Sequence, residues 1–304
     1  MPITNGSLGP IGRVGLKEAI YIAAESVPDQ SLMIVGQEYH TTQLFEQFMT
    51  LGAFGNARIV NNGNNLDEDQ PEVVAVGKYT PLVVGLQWSY GTQIEYVDQY
   101  RKILGLAPMV ALSFAHTRNF AAAQMNISGF TTGTAYGPVS TDSLYSTAHP
   151  ASVGTGSNRP SPDIGFSPLG IQQARNEIRA QKDTRGKPLL LTGNIVVTAP
   201  INMWQYEDVI ESTMYLPGTN NNDVNVARSG VSLHVCDYYP VPSNAWYVRA
   251  ADDRLHGLFC LNQMPFEIEQ LVRQPNLQKP WLAWESYVFG YNRWQGTWGT
   301  SGAA

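Results

Sequence analysis

The sequence predicts a fold that mixes amphipathic helices with aromatic strands, and three observations predict it. Helical spacing of apolar residues runs through 107–125, and a capped amphipathic helix follows at 167–185. Strand-like runs of Trp, Tyr and Phe fill 281–298. The chain therefore contains both helices and strands, and 304 residues suffice for one large domain or two modest ones.

Two short helices are predicted near the start of the chain. In 17–26, isoleucine and alanine share one helical face, and Pro28 ends the segment. In 41–51, leucine and phenylalanine recur with helical spacing, and Gly52 follows as a helix-terminating glycine. Both segments are predicted to be short docking helices.

The next segment is predicted to be an extended β-hairpin within 57–87. Runs rich in β-branched and apolar residues at 57–60, 73–76 and 82–86 flank an Asn-Asn-Gly-Asn-Asn turn at 61–65, whose residues tolerate a positive φ. Two strands cannot cover both of their faces in water, so a projecting hairpin needs a neighbouring molecule. The acidic residues 67–69 lack the spacing of a calcium loop and are interpreted as a solvated tip.

Two helices are predicted before the central loop and one after it. The segments 90–104 and 107–125 have helical spacing, and the second carries a proline in its first turn, where the missing N–H is tolerated. Residues 128–165 are rich in Gly, Ser, Thr and Pro and are predicted to be loop.

The helix after the loop has the clearest signals. Ser167 is its predicted N-cap and Pro168 its first residue, and Arg179, Lys182 and Arg185 are predicted to lie toward its negative end. Beyond it we predict a helix at 202–214 and strands at 189–191, 195–197, 231–239, 245–249, 258–262 and 281–298.

Composition narrows the function classes. Charged residues are 14% of the chain, below the roughly 25% of an ordinary domain, and 11% of residues are aromatic. This bias is typical of subunit interfaces, and also of β-rich proteins with Asn, Gln, Ser and Thr surfaces; composition alone does not separate the two. The formal charge of −6 argues against tight nucleic-acid binding, which needs Lys and Arg.

The sequence predicts a protein of a reducing compartment. Cys236 and Cys260 are the only cysteines, and both are predicted to be buried free thiols. A signal peptide and a membrane-spanning segment are not predicted, so we expect a soluble protein that is not exported and does not bind membranes.

Catalytic, metal and cofactor sites are not predicted. The histidines do not have the spacing of a zinc helix, 154–158 lacks the last glycine of a nucleophile elbow, and Pro188 stands where a phosphate loop has Ser or Thr. Lys78 lies in the predicted hairpin, and a covalent bond from it to a neighbour is not expected without an activating carboxylate.

Three stretches occur in a characteristic order. They are Leu-Tyr-Ser-Thr-Ala-His-Pro at 144–150, Gln-Lys-Asp-Thr-Arg-Gly-Lys-Pro-Leu at 181–189, and Ala-Trp-Tyr-Val at 245–248 with an aromatic close at 287–298. In that order they resemble the major head subunit of Mu-like tailed bacteriophages, whose capsid proteins share the Hong Kong 97 (HK97) shell fold. The resemblance covers most of the chain from 107 onward, and earlier residues match in layout only. In the resembled family a His-Pro or His-Asn pair lies in a structural loop, so the resemblance implies a hydrogen-bonding role for His149.

The resemblance implies an α+β fold of five regions. An N-terminal arm with short helices would occupy 1–56, and an extended loop would occupy 57–90. A peripheral domain with a long spine helix would occupy 91–140. An axial domain would occupy 141–275, and 276–304 would return as strands to the peripheral domain.

The same resemblance implies a structural, non-enzymatic function. Copies would form hexamers and pentamers that close into an icosahedral head around double-stranded DNA, and the extended loop would lie over the neighbouring subunit. Scaffold, maturation protease and portal are expected to be separate proteins, and contact with DNA to be weak and non-specific. The protein would reside in the virion shell after assembly in the host cytoplasm.

Two alternatives remain open on the sequence alone. A carbohydrate-binding or polysaccharide-active β-rich protein would use Trp281, Trp284, Trp294 and Trp298 as sugar platforms, although a packed sheet face is the preferred interpretation of these rings. A phage tail or tube component is the other alternative.

Overall fold

The computed structural model describes residues 8–57, 68–71, 73–91, 106–131, 143–150, 155–212, 225, 230–240, 244–251, 256–272, 274–275 and 278–302. Within these residues the chain forms two four-stranded sheets and two two-stranded ladders, with α-helices packed against both sheets. Also within them, every helix is too short or too polar to cross a membrane.

The secondary-structure elements follow one another in mixed order. The helices are α1 (Leu8–Ser26), α2 (Gln30–Val35), α3 (Leu106–Ile127), α4 (Pro168–Ala180) and α5 (Met203–Glu211). The strands are β1 (Glu38–His40), β2 (Glu46–Leu51), β3 (Val73–Tyr79), β4 (Leu82–Gly91), β5 (His149–Pro150), β6 (Thr155–Gly156), β7 (Gly193–Thr198), β8 (Ser232–Val235), β9 (Trp246–Ala250), β10 (Leu258–Gln270), β11 (Gln278–Tyr291) and β12 (Thr297–Thr300).

The first sheet has the strand order β1-β10-β11-β4 and carries the longest strands. β11 pairs antiparallel with both β10 and β4, and β1 joins parallel to β10. The long helix α3 and the helix α1 pack together on this sheet, where Phe114 and Ile20 meet Ile268 and Trp281 in one apolar cluster. The sheet with its two helices thus has its own core.

The second sheet has the order β12-β9-β7-β8. All five residues of β9 are buried, because α4 covers one face and tyrosines of the central loop and of β9 itself fill the other. Ile171, Ala174 and Ile178 face this core from α4, as the sequence predicts. Trp246 and Trp298 lie against each other there, with ring centroids 4.7 Å apart.

The capped helix is confirmed at its start and shorter than predicted at its end. Ser167 Oγ accepts a hydrogen bond from the Gly170 N–H at 3.0 Å, and Pro168 is the first helical residue. The helix ends at Ala180, because the side chain of Gln181 turns inward to hydrogen-bond the main chain of Thr297 and Gly296. Arg179 is in the last turn, but Lys182 and Arg185 belong to the turn that follows.

The prediction of a helix at 41–51 is wrong, since Glu46–Leu51 forms strand β2. Its side chains alternate between half-buried and exposed, so Phe48 faces the protein while Met49 faces outward. The spacing of Leu44, Phe45, Phe48 and Leu51 fits a helix equally well, and the partner strand β3 decides between the two.

The two strands β3 and β4 of the predicted hairpin do not pair with each other within the described residues. β3 pairs antiparallel with β2, which precedes the predicted hairpin, and β4 pairs with β11 in the first sheet. The turn at 61–65 and most of the first predicted strand lie outside the described residues. We call β2, β3 and the linking residues 52–57 and 68–71 the ribbon.

Most other predictions are confirmed with shifted ends. Helices are found at the predicted 17–26 and 107–125, and α5 covers the described part of 202–214 except for its first and last residues, Asn202 and Ser212. Strands are found at 195–197, 245–249, 258–262 and within 281–298, whereas 231–239 is a strand only over β8. Residues 189–191 are not a strand, and of the predicted helix 90–104 the first two residues end β4 while the rest lies outside the described residues.

Candidate functional site

The central loop motif is a packed structural element. Tyr145 is almost fully buried, and its hydroxyl donates to Asn126 Oδ1 at 2.9 Å. The fully buried Asn158 joins the loop to the second sheet: its amide donates to Leu144 O at 2.8 Å and to Thr297 Oγ1 at 3.2 Å. A buried amide with these partners fixes the loop in one conformation.

His149 has the hydrogen-bonding role predicted for it. Its Nε2 lies 2.8 Å from Asn158 Oδ1, and its ring stacks on Trp294 with 4.4 Å between centroids. Gly156 passes so close to this pair that a Cβ there would lie 2.5 Å from the Trp294 ring. The arrangement is a packed stack without room for a substrate.

The base of the ribbon is anchored by an aromatic cluster. Phe48 of β2 and Tyr79 of β3 contact Phe259 of β10, with centroid distances of 4.6 and 4.9 Å. The Tyr79 hydroxyl donates to the main-chain carbonyl of Tyr291, and burial raises the pKa of Tyr79 far above its ordinary value. This end of the ribbon is therefore part of the protein core.

The outer end of the ribbon is held by the turn 183–187, which follows α4 and which we call the basic turn. Lys187 Nζ donates to the carbonyls of Phe54 at 2.6 Å and Gly55 at 2.7 Å. The Ala53 N–H donates to Thr184 Oγ1 at 3.1 Å. The turn itself is closed by Asp183, whose carboxylate accepts from the N–H groups of residues 185 and 187.

An ion pair between Arg185 and Asp69 also joins the basic turn to the outer end of the ribbon. Arg185 Nη2 lies 2.9 Å from Asp69 Oδ1, and the Gly55 N–H donates to the other oxygen of the same carboxylate. These contacts, with the Gly55 N–H the larger cause, lower the pKa of Asp69. Asp69 is exposed, as expected for a solvated tip, but it is tied to the basic turn.

The opposite face of the ribbon is apolar and uncovered. Met49 pairs across the ribbon with Val76, and Leu51 pairs with Val73. All four side chains are exposed by 43% or more, although each is a residue type that is usually buried. Lys78, the residue considered for a covalent bond, lies on this part of the ribbon with its Nζ 4.0 Å from the Phe45 ring centroid.

The outer face of α3 is also unusual for a helix that meets solvent. Arg118 is the only charged residue in the helix, and it points inward. The exposed side includes Met109, Leu112 and Phe120 instead of charges. A helix without a charged outer face is typical of one that is covered on all sides.

Arg118 is the centre of a charge cluster between α3 and the first sheet, in which Glu285 is buried, Arg118 is half-buried, and Glu38 and Asp29 are exposed. It lies 3.0 Å from Glu38, 3.8 Å from Asp29 and 3.9 Å from Glu285. Burial raises the pKa of Glu285 to about 7, although Arg118 partly opposes the shift. The cluster borders a cavity of about 300 Å³ also lined by Phe114 and Phe266.

Neither cysteine is disulfide-bonded, as predicted. Cys236 and Cys260 are buried free thiols, and burial raises their pKa to about 11 and about 12. Such thiols are protonated near neutral pH and are poor nucleophiles. Among the described residues, no group of three His, Cys, Asp or Glu side chains could hold a metal ion.

The tryptophans do not form a sugar platform. Trp281 and Trp298 are almost completely buried, and the Trp294 ring is covered by His149. Trp298 Nε1 donates to Glu177 of α4 at 2.6 Å, so this ring is fixed inside the second sheet's core. The packed interpretation is confirmed for the buried Trp281 and Trp298, whereas Trp284 and Trp294 are half-buried, the latter with its ring stacked on His149.

Comparison of the whole structure with solved structures gives matches along nearly the full chain. The bacteriophage PhiM1 mature capsid matches with a TM-score of 0.56 at 13% identity, covering 88% of this chain and 86% of that chain. The capsid of the native GTA particle matches with a TM-score of 0.58 at 11% identity, covering 91% of each chain. The chain has the HK97-type shell fold.

An encapsulin is also among the matches. The encapsulin of a holo complex from Synechococcus elongatus PCC 7942 matches with a TM-score of 0.50 at 10% identity, covering 90% of this chain and 88% of that chain. No protein-family model and no curated protein sequence matches the chain. At these low sequence identities, the similarity to capsid structures is detected from the three-dimensional structure and not from the sequence.

Proposed function

We propose that the protein is the major capsid protein of a tailed bacteriophage, a subunit that assembles with copies of itself into a closed shell. The observation that carries the proposal is the correspondence, over nearly the whole length of both chains, with subunits of the PhiM1 and GTA capsids. The sequence motifs favour the phage head over a cellular compartment, and so do the higher TM-scores of the phage-like shells.

The surface of the subunit supports this proposal. Large apolar side chains are exposed on the ribbon, on α3 and at the start of α5, where Trp204 is 74% exposed. A soluble monomer rarely carries several uncovered apolar surfaces, whereas a subunit enclosed by copies of itself needs them. Rings of copies make such contacts through two different surfaces of each chain.

The proposal includes the finer organisation of the shell. Hexamers and pentamers would form an icosahedral head that encloses double-stranded DNA, with the division of the chain at 56, 90, 140 and 275 into arm, extended loop, peripheral domain, axial domain and returning strands. Scaffold, maturation protease and portal would be separate proteins, and assembly would take place in the host cytoplasm. The subunit would act without catalysis, and DNA contact would be weak, as the net charge of −6 favours.

Electron microscopy of the purified protein tests the proposal. We expect closed shells, or hexameric and pentameric rings, when the chain is produced in bacteria alone or with a separate scaffold. Tubes would instead support a tail component, and a dispersed monomer that binds glycans would contradict the shell function. Shells that enclose a cellular protein rather than DNA would assign the protein to a compartment.

A further inference from the structure

The cavity beside Arg118 is surrounded by parts of the chain that are far apart in sequence. It lies where the end of α1, the residue that precedes α2, strand β1, the middle of α3 and strands β10 and β11 meet. Its volume of about 300 Å³ is at the lower end of the range of small-molecule sites, roughly 300 to 1,000 Å³. A molecule bound there contacts helices α1 and α3 and the first sheet at once.

Much of the lining of this cavity is apolar. The rings of Phe114 on α3 and Phe266 on β10 line it and contact each other edge to face, with 4.9 Å between their centroids. Ala24, Ala111 and Ala115 add small aliphatic side chains. Such a lining accepts a hydrocarbon group, and the face of an aromatic ring also attracts a positive charge.

The polar part of the lining has an excess of negative charge. The carboxyl groups of Asp29, Glu38 and Glu285 lie 3.8, 3.0 and 3.9 Å from the guanidinium of Arg118. When all three are ionised, three negative charges face one positive charge. The cavity therefore favours a positively charged molecule.

Glu285 is the carboxyl group of this set that has spare capacity to accept hydrogen bonds. Asp29 accepts from the Ser31 N–H, and Glu38 accepts from Arg118. Glu285 is only 6% exposed, and its Oε1 has no hydrogen-bond partner among the described residues. Its Oε2 is 3.9 Å from Arg118, which is too far for a hydrogen bond.

A bound donor can satisfy this carboxyl group. Buried carboxyl oxygens normally accept a hydrogen bond. Glu285 lines the cavity, and rotation about the last side-chain bond of a glutamate is soft, so either oxygen can turn toward a molecule bound there. A charged N–H donor makes the strongest hydrogen bond with a carboxylate.

An organic cation fits the lining better than a metal ion does. In the described part of the chain, no group of three His, Cys, Asp or Glu side chains could hold a metal ion. Hard metal ions also prefer oxygen ligands, which aromatic and aliphatic walls do not supply. An organic ammonium ion uses the whole lining, because its N–H groups pair with carboxylates while its hydrocarbon group packs on the rings.

We propose that this cavity binds a small organic ammonium ion, whose N–H groups donate to Glu285 and whose hydrocarbon group packs against Phe114 and Phe266. The inference goes beyond the proposed function and does not depend on it, since the site lies within one chain. The bound ion joins α1, α3 and the first sheet. It therefore stabilises the folded subunit by an amount that grows with its concentration.

The first experiment measures binding of a probe to the full-length chain. The probe is 2-phenylethylamine, and 2-phenylethanol is its neutral counterpart of nearly the same shape. Isothermal titration calorimetry should show saturable binding of the amine, and the alcohol should bind about tenfold more weakly or worse, because it lacks the charged donor. The thermal midpoint should rise with amine concentration. Absence of saturable amine binding, or equal affinity for the alcohol, overturns the proposal.

The second experiment locates the site. Glu285→Gln keeps the shape of the side chain but removes its charge, and should weaken amine binding by about tenfold or more. Glu267→Gln is the matched control, since it removes an exposed carboxyl group of the same sheet outside the cavity lining, and its affinity should be unchanged. Ala115→Leu fills part of the cavity and should abolish binding.

Circular dichroism and the thermal midpoint without amine establish that these variants are folded. Two different substitutions keep the test valid if one of them prevents folding. The proposal is wrong if folded Glu285→Gln or folded Ala115→Leu binds the amine as tightly as the unchanged chain does.

The dependence of binding on pH is a further measurement that separates charge pairing from packing. Burial raises the pKa of Glu285 to about 7, whereas the amine, like lysine, stays protonated below roughly pH 9. The titratable groups that face Glu285 are Arg118 from α3, Asp29 before α2, Glu38 from β1 and Cys260 from β10.

Amine affinity should therefore rise by about tenfold between pH 6 and pH 8, as Glu285 loses its proton. In Glu285→Gln this rise should disappear. An affinity that stays constant over this range in the unchanged chain would contradict pairing of the ammonium group with Glu285.

Discussion

The ribbon and the second sheet are both made of apolar strands, but only the sheet buries its apolar residues on both faces. Every residue of β9 is buried, since α4 lies on one side and the tyrosine-rich core on the other. In β2 every second residue is exposed. Two strands with one covering layer leave one face in water, whereas a sheet between two layers leaves none.

The two regions also differ in what holds them. The second sheet is held by buried rings and by fully satisfied buried amides such as Asn158. The outer end of the ribbon is held by exposed contacts from Lys187 and Arg185, and contacts of that kind contribute little to stability. Most of the stability of the subunit is therefore expected to come from the sheets and little from the contacts at the outer end of the ribbon.

The largest expected effect comes from removing a ring from the sheet core. Trp298→Ala should lower the free energy of unfolding by roughly 3 to 5 kcal/mol, because it leaves a large cavity beside Trp246. Urea denaturation of the unassembled chain measures the change. Trp204→Ala removes the same side chain from an exposed position and should change stability by less than about 0.5 kcal/mol. Equal losses of stability in Trp298→Ala and Trp204→Ala would contradict the expected difference between a buried core position and an exposed position.

A similar but smaller loss is expected from the loop amide. Asn158→Ala removes the hydrogen bonds of Asn158 to the Leu144 carbonyl, the Ser146 N–H and the His149 ring, and should cost roughly 2 to 4 kcal/mol. Ser157→Ala, at the exposed neighbouring position, is the control. A loss below 1 kcal/mol for Asn158→Ala would show that the loop does not depend on this amide.

A buried carboxyl group of the first sheet and an exposed carboxyl group of the ribbon should give the protein opposite dependences of stability on pH. Burial raises the pKa of Glu285 from 4.5 to about 7, so the folded protein binds a proton that the unfolded chain has already lost. This stabilisation is complete below pH 4.5 and is lost as pH rises through about 7, by about 2 kcal/mol between pH 5 and pH 7.

Measurement of the free energy of unfolding at a series of pH values tests this decline between pH 5 and pH 7. Glu285→Gln should remove the decline in that range, since Gln cannot ionise. The shift of Asp69 has the opposite sign, because its lowered pKa adds stability at neutral pH that is lost on acidification. Asp69→Asn should therefore leave the decline between pH 5 and pH 7 in place. If the free energy of unfolding depended on pH in the same way in the unchanged protein and in Glu285→Gln, the decline could not be assigned to Glu285.

The smallest effect on stability is expected at the ribbon. Lys187→Ala removes the bonds to the Phe54 and Gly55 carbonyls and should cost about 1 kcal/mol or less, because the contact is largely exposed. Limited proteolysis should nevertheless cut faster within 52–57, since the outer end is released. Lys182→Ala, at a basic residue just before the turn, should leave the cleavage rate unchanged. Unchanged cleavage in Lys187→Ala would mean that the basic turn does not hold the ribbon.

The predictions of secondary structure from the sequence were most accurate where capping residues and the spacing of buried residues indicate the same element. Ser167, Pro168 and the spacing of Ile171, Ala174 and Ile178 gave the start and the buried face of α4 correctly. The role of His149 also followed from its motif. At 41–51 the same kind of argument failed, because a period of 3.6 and a period of 2 both fit so short a segment. The pairing with β3 is a long-range contact that neither strand signals by itself.

By itself, the sequence determined the mixed helix and strand content, the long helix α3, the aromatic strands and the resemblance to phage head subunits. These features depend on residue type and local spacing. Only the tertiary structure decided which strands form the ribbon, which of its faces is attached, and that the basic turn holds it. The strand pairing of the ribbon joins residues such as Glu46 and Tyr79, which are 33 positions apart, and its attachment joins residues more than 100 positions apart, such as Thr184 with Ala53, whose |i−j| is 131. Local spacing carries no information about such contacts, because they form only when the whole chain is folded.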